Sequence, residues 1–405
     1  MKTLATTLLA LVWMAAICGL AAGKEKDPPK PTGPSVPKTE INALKRAMTF
    51  YLAKGEPGSC GPGCSEWIAA EGTITSGTAE RLRSFLIRNS EIKRPIYFYS
   101  PGGLAAEAVA IGRVMRERGL VAGVARTIRE GREAQKDCPK PKQFNHELNA
   151  RLKSTLAQCN SACVYAIVGA RLREVAPDAF LGVHAAKTVL TTKLPDGMKV
   201  PPEALANFKV QNTQNLRRYL VEMGIQPALL ETAEKIPHES VKFLTRAEIV
   251  RFGIDKRSLI ESDWIFDDRA DSRNVFKMVS IADESKDEFR DIMVRLKCMS
   301  EDFVAVAYAR ELGPKQGLAS SLTFTAGGAL FDLLHGKERP SSDSGKRFDV
   351  RSAWVSEKFF QSAATSGYIE IVEVPSAGEQ SRRLFKLSTA GLAVALANLL
   401  KFCRS

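Results

Sequence analysis

Between Glu66 and Phe252 the apolar positions switch repeatedly between the twofold alternation of strands and the three-and-four spacing of helices. The pattern predicts strands at Glu66–Ala70, Pro95–Tyr99, Val121–Ile128 and Ala179–His184. Helices are predicted at Thr78–Arg88, Leu104–Arg118, Ala162–Ala170 and Pro202–Met223, with Gly119 and Gly224 where a helix C-terminus favours glycine. Thr245-Arg-Ala-Glu248 forms a capping box that opens a helix ending at Phe252-Gly253. Strand, glycine turn and helix in succession describe a parallel α/β domain. Upstream, Ile41, Leu44 and Met48 predict a helix over Glu40–Leu52.

Beyond Asp263-Trp264-Ile265 the character changes. Phe289, Ile292, Met293, Leu296 and Phe303 give Glu288–Leu312 the spacing of a long amphipathic helix. A helix over Val350–Ala364, strands over Tyr368–Val374 and Leu384–Leu387, and a helix over Thr389–Phe402 are expected to follow. That order suits a small α+β domain of unassigned fold, winged-helix-like in its sequence of elements. The chain thus divides into 1–23, 24–39, 40–267 and 268–405, and 405 residues with 44% apolar composition suffice for two cores.

The first two pieces are not domains. No charge interrupts Thr3–Gly23, Lys2 precedes it, and Ala21-Ala22-Gly23 offers small residues for cleavage. The stretch reads as a secretory signal, giving a periplasmic or secreted protein, or as a retained inner-membrane anchor, since ~20 apolar residues span a bilayer. Pro28, Pro29, Pro31, Pro34 and Pro37 make 24–39 an extended spacer. Export also shapes the reading of charge. The excess of 58 Lys and Arg over 45 Asp and Glu gives +13, spread without any long like-charge block. Solvated faces account for most of it, an anionic envelope surface is the specific partner it suggests, and nucleic acid is not expected.

Outside the export segment stand Cys60, Cys64, Cys138, Cys159, Cys163, Cys298 and Cys403, an odd number in a compartment that permits disulfides. Cys60-Gly-Pro-Gly-Cys64 has no matching His or Cys pair at zinc spacing, which favours a local disulfide over a metal site. No metal and no cofactor is expected. The polar stretch Glu130–Lys153 interrupts the strand pattern, and pairing of Cys138 with Cys159 or Cys163 would pin it beside Ser161 as a lid; unpaired cysteines packing a helix are the alternative.

Four features converge on one chemistry: Ser100-Pro-Gly-Gly103 between a strand and a helix, Ser161 opening a short apolar helix, Gly182-Val-His184 ending a strand, and Phe243-Leu-Thr245 leading to Phe252-Gly-Ile-Asp255. Together they resemble the proteolytic subunit of the Clp protease, a branch of the crotonase superfamily. The resemblance spans roughly 43–265 and implies a spiral βαβ domain, a peptide or unfolded-polypeptide substrate and self-association through the helix matching Pro202–Met223. It implies Ser161 as nucleophile, His184 as general base 23 residues on, and the Gly103 and Ala162 amides as oxyanion donors.

One position departs from the pattern. Val241 stands where the family carries its aspartate, and valine cannot orient an imidazole. Glu239 is the nearest carboxylate and the candidate third member. Two functions follow: an exported serine peptidase working without an ATPase partner, or a catalytically inactive Clp-fold protein that binds or assembles in the cell envelope.

Overall fold

The computed structural model describes residues 44–61, 63–89, 94–129, 148–187, 200–268, 273–282, 288–300, 303–314, 316–333, 336–340, 346–375 and 383–403. The expected signal, the spacer, Cys138 and most of the proposed lid lie outside them.

The first sheet grows around a strand buried on both faces. Strands β1 (Thr49–Lys54) and β2 (Glu66–Glu71) pair antiparallel, so Thr49–Lys54 is extended where a helix was expected. Phe50 and Tyr51 give that segment the aromatic content of a strand, and pairing with β2 satisfies its backbone. Helix α1 (Thr78–Arg88) crosses to β3 (Ile96–Tyr99), and α2 (Ala105–Glu117) crosses to β4 (Val121–Val124), both strands parallel to their predecessors. The chain breaks at Ala125 into β5 (Arg126–Arg129), so the single strand expected over Val121–Ile128 is two. With β6 (Leu148–Lys153) and β8 (Leu172–Glu174) the order is β5-β6-β1-β2-β3-β4-β8. Ile68 and Ala70 face a core shared with Leu82, Phe98, Ile111 and Met115, whereas Trp67 and Ala69 face a smaller one with Tyr51, Ala53 and Ala150.

A second sheet carries the segments on either side of Ser161. It contains β7 (Gln158–Asn160), β9 (Phe180–Val183) and β10 (Lys242–Phe243) in the order β10-β9-β7, with β7 parallel to β9. Between β7 and β8 lies α3 (Ala162–Ile167), every residue of which is buried. Helices α4 (Pro202–Glu222), α5 (Ala228–Glu234) and α6 (Arg246–Arg251) complete this part. The predicted capping box of α6 is formed in both directions between Thr245 and Glu248. Asp255 of the Gly-Ile-Asp motif is a structural anchor: it accepts from the Val175 amide and pairs with Arg246 at 3.2 Å and Arg257 at 2.7 Å.

The C-terminal part is mostly sheet. Strands β11 (Leu259–Glu261), β12 (Ile265–Asp267), β13 (Asn274–Ala282), β14 (Phe289–Cys298), β15 (Phe303–Leu312), β18 (Lys337–Pro340) and β19 (Arg347–Ser356) form one antiparallel sheet. A second contains β16 (Ser321–Ala326), β17 (Ala329–Asp332), β20 (Tyr368–Val374) and β21 (Arg383–Ser388). Helices α7 (Glu357–Ser366) and α8 (Leu392–Leu400) pack with both. The chain enters this sheet at Leu259, upstream of 268. Glu288–Leu312 is therefore a hairpin and not a helix: Ile292, Val294 and Leu296 alternate inward, opposite Arg310, Tyr308 and Val306, and β-branched residues at twofold spacing suit a pleated surface. Val350–Ala364 likewise splits at Ser356, whose side chain caps α7, into strand and helix. These elements do not build a winged helix.

Three disulfides occur among the described residues: Cys60–Cys64, Cys159–Cys163 and Cys298–Cys403. The first matches expectation. The second excludes the expected pairing of Cys138 with Cys159 or Cys163, because two half-cystines four residues apart satisfy each other. The third spans a sequence separation of 105 and ties the end of β14 to the residues after α8.

Replacing Cys298 and Cys403 by Ser is expected to cost about 4–5 kcal/mol in urea unfolding, against about 2 kcal/mol for the Cys60/Cys64 pair, because the longer loop restricts the unfolded chain more. Asp255→Asn leaves two guanidinium groups without their carboxylate and should cost about 3–5 kcal/mol. Hydrogen bonds and the two arginines hold the Asp255 carboxyl below its usual range against the opposing effect of burial. Its contribution is thus complete above the unfolded value, about 3.9, and is lost as pH falls through the lower folded value, so the wild-type advantage should shrink in acid unfolding.

Candidate active site

Ser161 sits where β7 turns into α3, with φ 54° and ψ −123°. A non-glycine residue in that region costs about 1–3 kcal/mol and persists only when its surroundings hold it. Here they hold it from three sides. The Ser161 amide donates to Gly182 O at 2.7 Å, the Cys159–Cys163 bridge spans the turn, and both half-cystines are buried. Residues 100–103 close the third side: the Ser100 amide donates to Gln158 O at 2.9 Å and the Asn160 amide to Ser100 O at 3.0 Å.

Gly102 and Gly103 are required by that contact. Gly102 has φ +105°, and a Cβ there would lie 2.7 Å from Asn160 O and 2.7 Å from Ser161 Cβ. Gly103 has φ +140° and lies against Ile74, whose amide and carbonyl engage Gly102 O and the Leu104 amide. That register leaves the Gly103 amide without an acceptor among the described contacts. The Ala162 amide, first in α3, also lacks one. Two uncommitted N–H groups thus flank the Ser161 turn, the arrangement that stabilises an oxyanion.

His184 follows directly on β9, half-buried. Its Nδ1 lies 2.9 Å from Ala185 O. A carbonyl oxygen only accepts, so Nδ1 carries the proton and Nε2 is left as the acceptor, the tautomer a general base needs. Among the described contacts no hydrogen bond joins Ser161 Oγ to His184. Nor is Glu239 brought onto the imidazole: it is exposed in the turn before β10, without a hydrogen bond or ion pair among the described residues. Val241 packs toward the strand, since a Cβ on Gly182 would lie 2.7 Å from Val241 Cγ1.

The structure adds a histidine that motif spacing did not single out. His238 lies edge-on to His184 with ring centroids 4.9 Å apart, and its Nδ1 is 3.2 Å from the same Ala185 O. Its signal in the sequence was slight: one of four histidines, three residues before Val241. No cluster of three or more His, Cys, Asp or Glu able to hold a metal ion occurs among the described residues.

No family model matches the chain, and no curated protein matches it. Solved structures do. A mutant of the 1510-N membrane-bound stomatin-specific protease is 16% identical, with 45% of this chain and 73% of that one covered at a TM-score of 0.27. A ClpP1 mutant from Listeria monocytogenes is 14% identical, with 54% of this chain and 93% of that one covered at 0.30. Invasion associated protein b from Bartonella henselae is 8% identical, with 32% of this chain and 87% of that one covered at 0.24. Similarities this distant carry no argument about chemistry, which rests on the site's own geometry.

Gly102→Ala should destabilise the protein by about 2 kcal/mol or more in thermal unfolding, from left-handed strain together with displacement of the Ser161 turn. The same substitution at Gly328, also at positive φ but with open space around it, should cost less.

Proposed function

We propose that this chain is an exported serine peptidase of the Clp-like type, cleaving peptides or unfolded polypeptides without an ATPase partner. The observation that carries this reading is the backbone of Ser161: strained, bridged by a disulfide and flanked by two free amides. A purely structural N-cap has no need of that conformation, whereas a sharp strand-to-helix turn presents a nucleophile.

In this mechanism Ser161 Oγ bonds to the scissile carbonyl carbon as its proton passes to His184 Nε2. The carbonyl oxygen, now anionic, takes hydrogen bonds from the Gly103 and Ala162 amides. Collapse breaks the C–N bond, and the departing amine takes the proton from His184. Water then hydrolyses the acyl-enzyme with His184 again as base. Ala185 O orients the imidazole but, being neutral, stabilises the imidazolium less than a carboxylate does. The enzyme is therefore expected to be slow.

The three disulfides and the uncharged N-terminal stretch support export to the periplasm or secretion, or display from an inner-membrane anchor; no helix long and apolar enough to cross a membrane occurs among the described residues. Helix α4 leaves Phe208 and Val210 exposed, which supports self-association through that helix as part of this reading.

A fluorescent fluorophosphonate should label the wild-type protein and leave Ser161→Ala unlabelled. His184→Ala should label at least about a hundredfold more slowly, the usual worth of a positioned base. Absence of labelling in folded wild-type protein across pH 6–9 would transfer the chain to the non-catalytic reading, an envelope binding or assembly protein, for which Val241 and the exposed Glu239 already speak.

A further inference from the structure

An antiparallel sheet packed on one face turns apolar side chains inward and polar ones to water. The large C-terminal sheet departs from that rule. Its inward residues, Val304, Val306 and Tyr308 of β15 among them, belong to the C-terminal core. Outward, the strand register sets Lys297, Ala305 and Trp354 in one row across β14, β15 and β19, and Met293, Ala309 and Val350 in another. None of these outward apolar side chains packs into a core among the described residues. The end of this face is its most open part: Trp354 is 71% exposed, Phe303, diagonal to it on β15, 46%, and Met299, in the turn beside Phe303, 48%.

The charge of the face is one-sided. Arg295 and Lys297 on β14 and Lys337 and Arg339 on β18 point the same way as Trp354, and none of them has an ion pair among the described residues. Arg295 rests its Nη2 on Met293 Sδ at 3.3 Å and leaves Nε without an acceptor. The carboxylates that share the face, Asp291 and Glu311, lie at the end away from Trp354, and Lys346 engages both, at 3.7 and 2.8 Å. An apolar patch left open on a folded domain marks an interaction surface, and here its occupant must carry negative charge. A second copy does not meet that condition, because a twofold contact lays the same four cations against each other. The aromatic side chains project from the sheet and do not line a groove, which suits a yielding surface, and tryptophan favours the boundary between water and hydrocarbon.

We infer that the outer face of this sheet docks on an anionic lipid bilayer, with Trp354, Phe303 and Met299 entering the headgroup region and Arg295, Lys297, Lys337 and Arg339 meeting the lipid phosphates. The inference is independent of whether Ser161 is a nucleophile.

The chain carries its own reporter. Of its four tryptophans, Trp67 and Trp264 are buried and Trp13 lies in the 1–23 stretch, so a chain beginning at Lys24 has Trp354 as its water-exposed emitter. That chain keeps both cores, whose residues begin at Met48, and omits an apolar segment that would bind lipid by itself. Vesicles of phosphatidylglycerol and phosphatidylcholine in equal parts should bind it in co-sedimentation, shift its tryptophan emission to the blue and shield it from acrylamide; vesicles of phosphatidylcholine alone should not. Lys297→Gln and Lys337→Gln should each weaken binding about fivefold, Trp354→Ser about tenfold, and salt at about 0.5 M should weaken it further. These three positions are exposed, so the variants should keep the wild-type Tm. Arg88→Gln with Lys235→Gln, the same charge change on the N-terminal part, should leave binding within about twofold. The inference is overturned if neutral vesicles bind as well, if emission is unchanged in the vesicle-bound protein, if Trp354→Ser binds as the wild type does, or if the Arg88 and Lys235 pair costs as much as the sheet lysines. It is equally overturned if vesicles fail to bind while polyglutamate binds in a Trp354-dependent way, which assigns the face to an acidic protein, or while sedimentation shows a Trp354-dependent dimer.

Discussion

The N-terminal domain is organised around one unfavourable joint, the turn at Ser161. Strand β7 must pass into a fully buried helix within a single residue, and that residue takes a conformation L-amino acids avoid. Such strain survives only if displacement costs more. Parallel pairing of β7 with β9, two glycines without side chains at 102 and 103, and a disulfide across the turn together supply that cost. The free amides of Gly103 and Ala162 are a by-product of the same packing, since Ile74 engages the carbonyl and amide on either side of Gly103 and leaves its own amide unused.

Around His184 the balance is different. A carboxylate beside an imidazole both orients it and stabilises its charge. Here Ala185 O performs only the first task, for His184 and His238 alike. Slow hydrolysis and a lost activity lie close together on such a site.

Buried charge is paired within the chain in both of its parts. Asp255, Arg246 and Arg257 form a closed set in which every charge meets its complement, and Arg351 with Asp349 does the same in the C-terminal core.

How much of this was legible in the sequence depended on how local the deciding physics was. Thr78–Arg88, the Thr245–Glu248 box and Tyr368–Val374 were legible because spacing, caps and β-branched runs act within a few residues. The Ser100–Gly103 turn, Ser161 and His184 were legible as separate motifs, and the Cys60–Cys64 bridge followed from proximity. Glu288–Leu312 was not, because Ile292, Met293 and Leu296 satisfy helical spacing as well as Ile292, Val294 and Leu296 satisfy a strand; pairing with β13 and β19 decided between them. The Cys159–Cys163 bridge, His238 beside His184 and the isolation of Glu239 were likewise decided only by the tertiary structure. Each depends on what arrives from elsewhere in the chain, and a linear pattern of residue types holds no record of that distance.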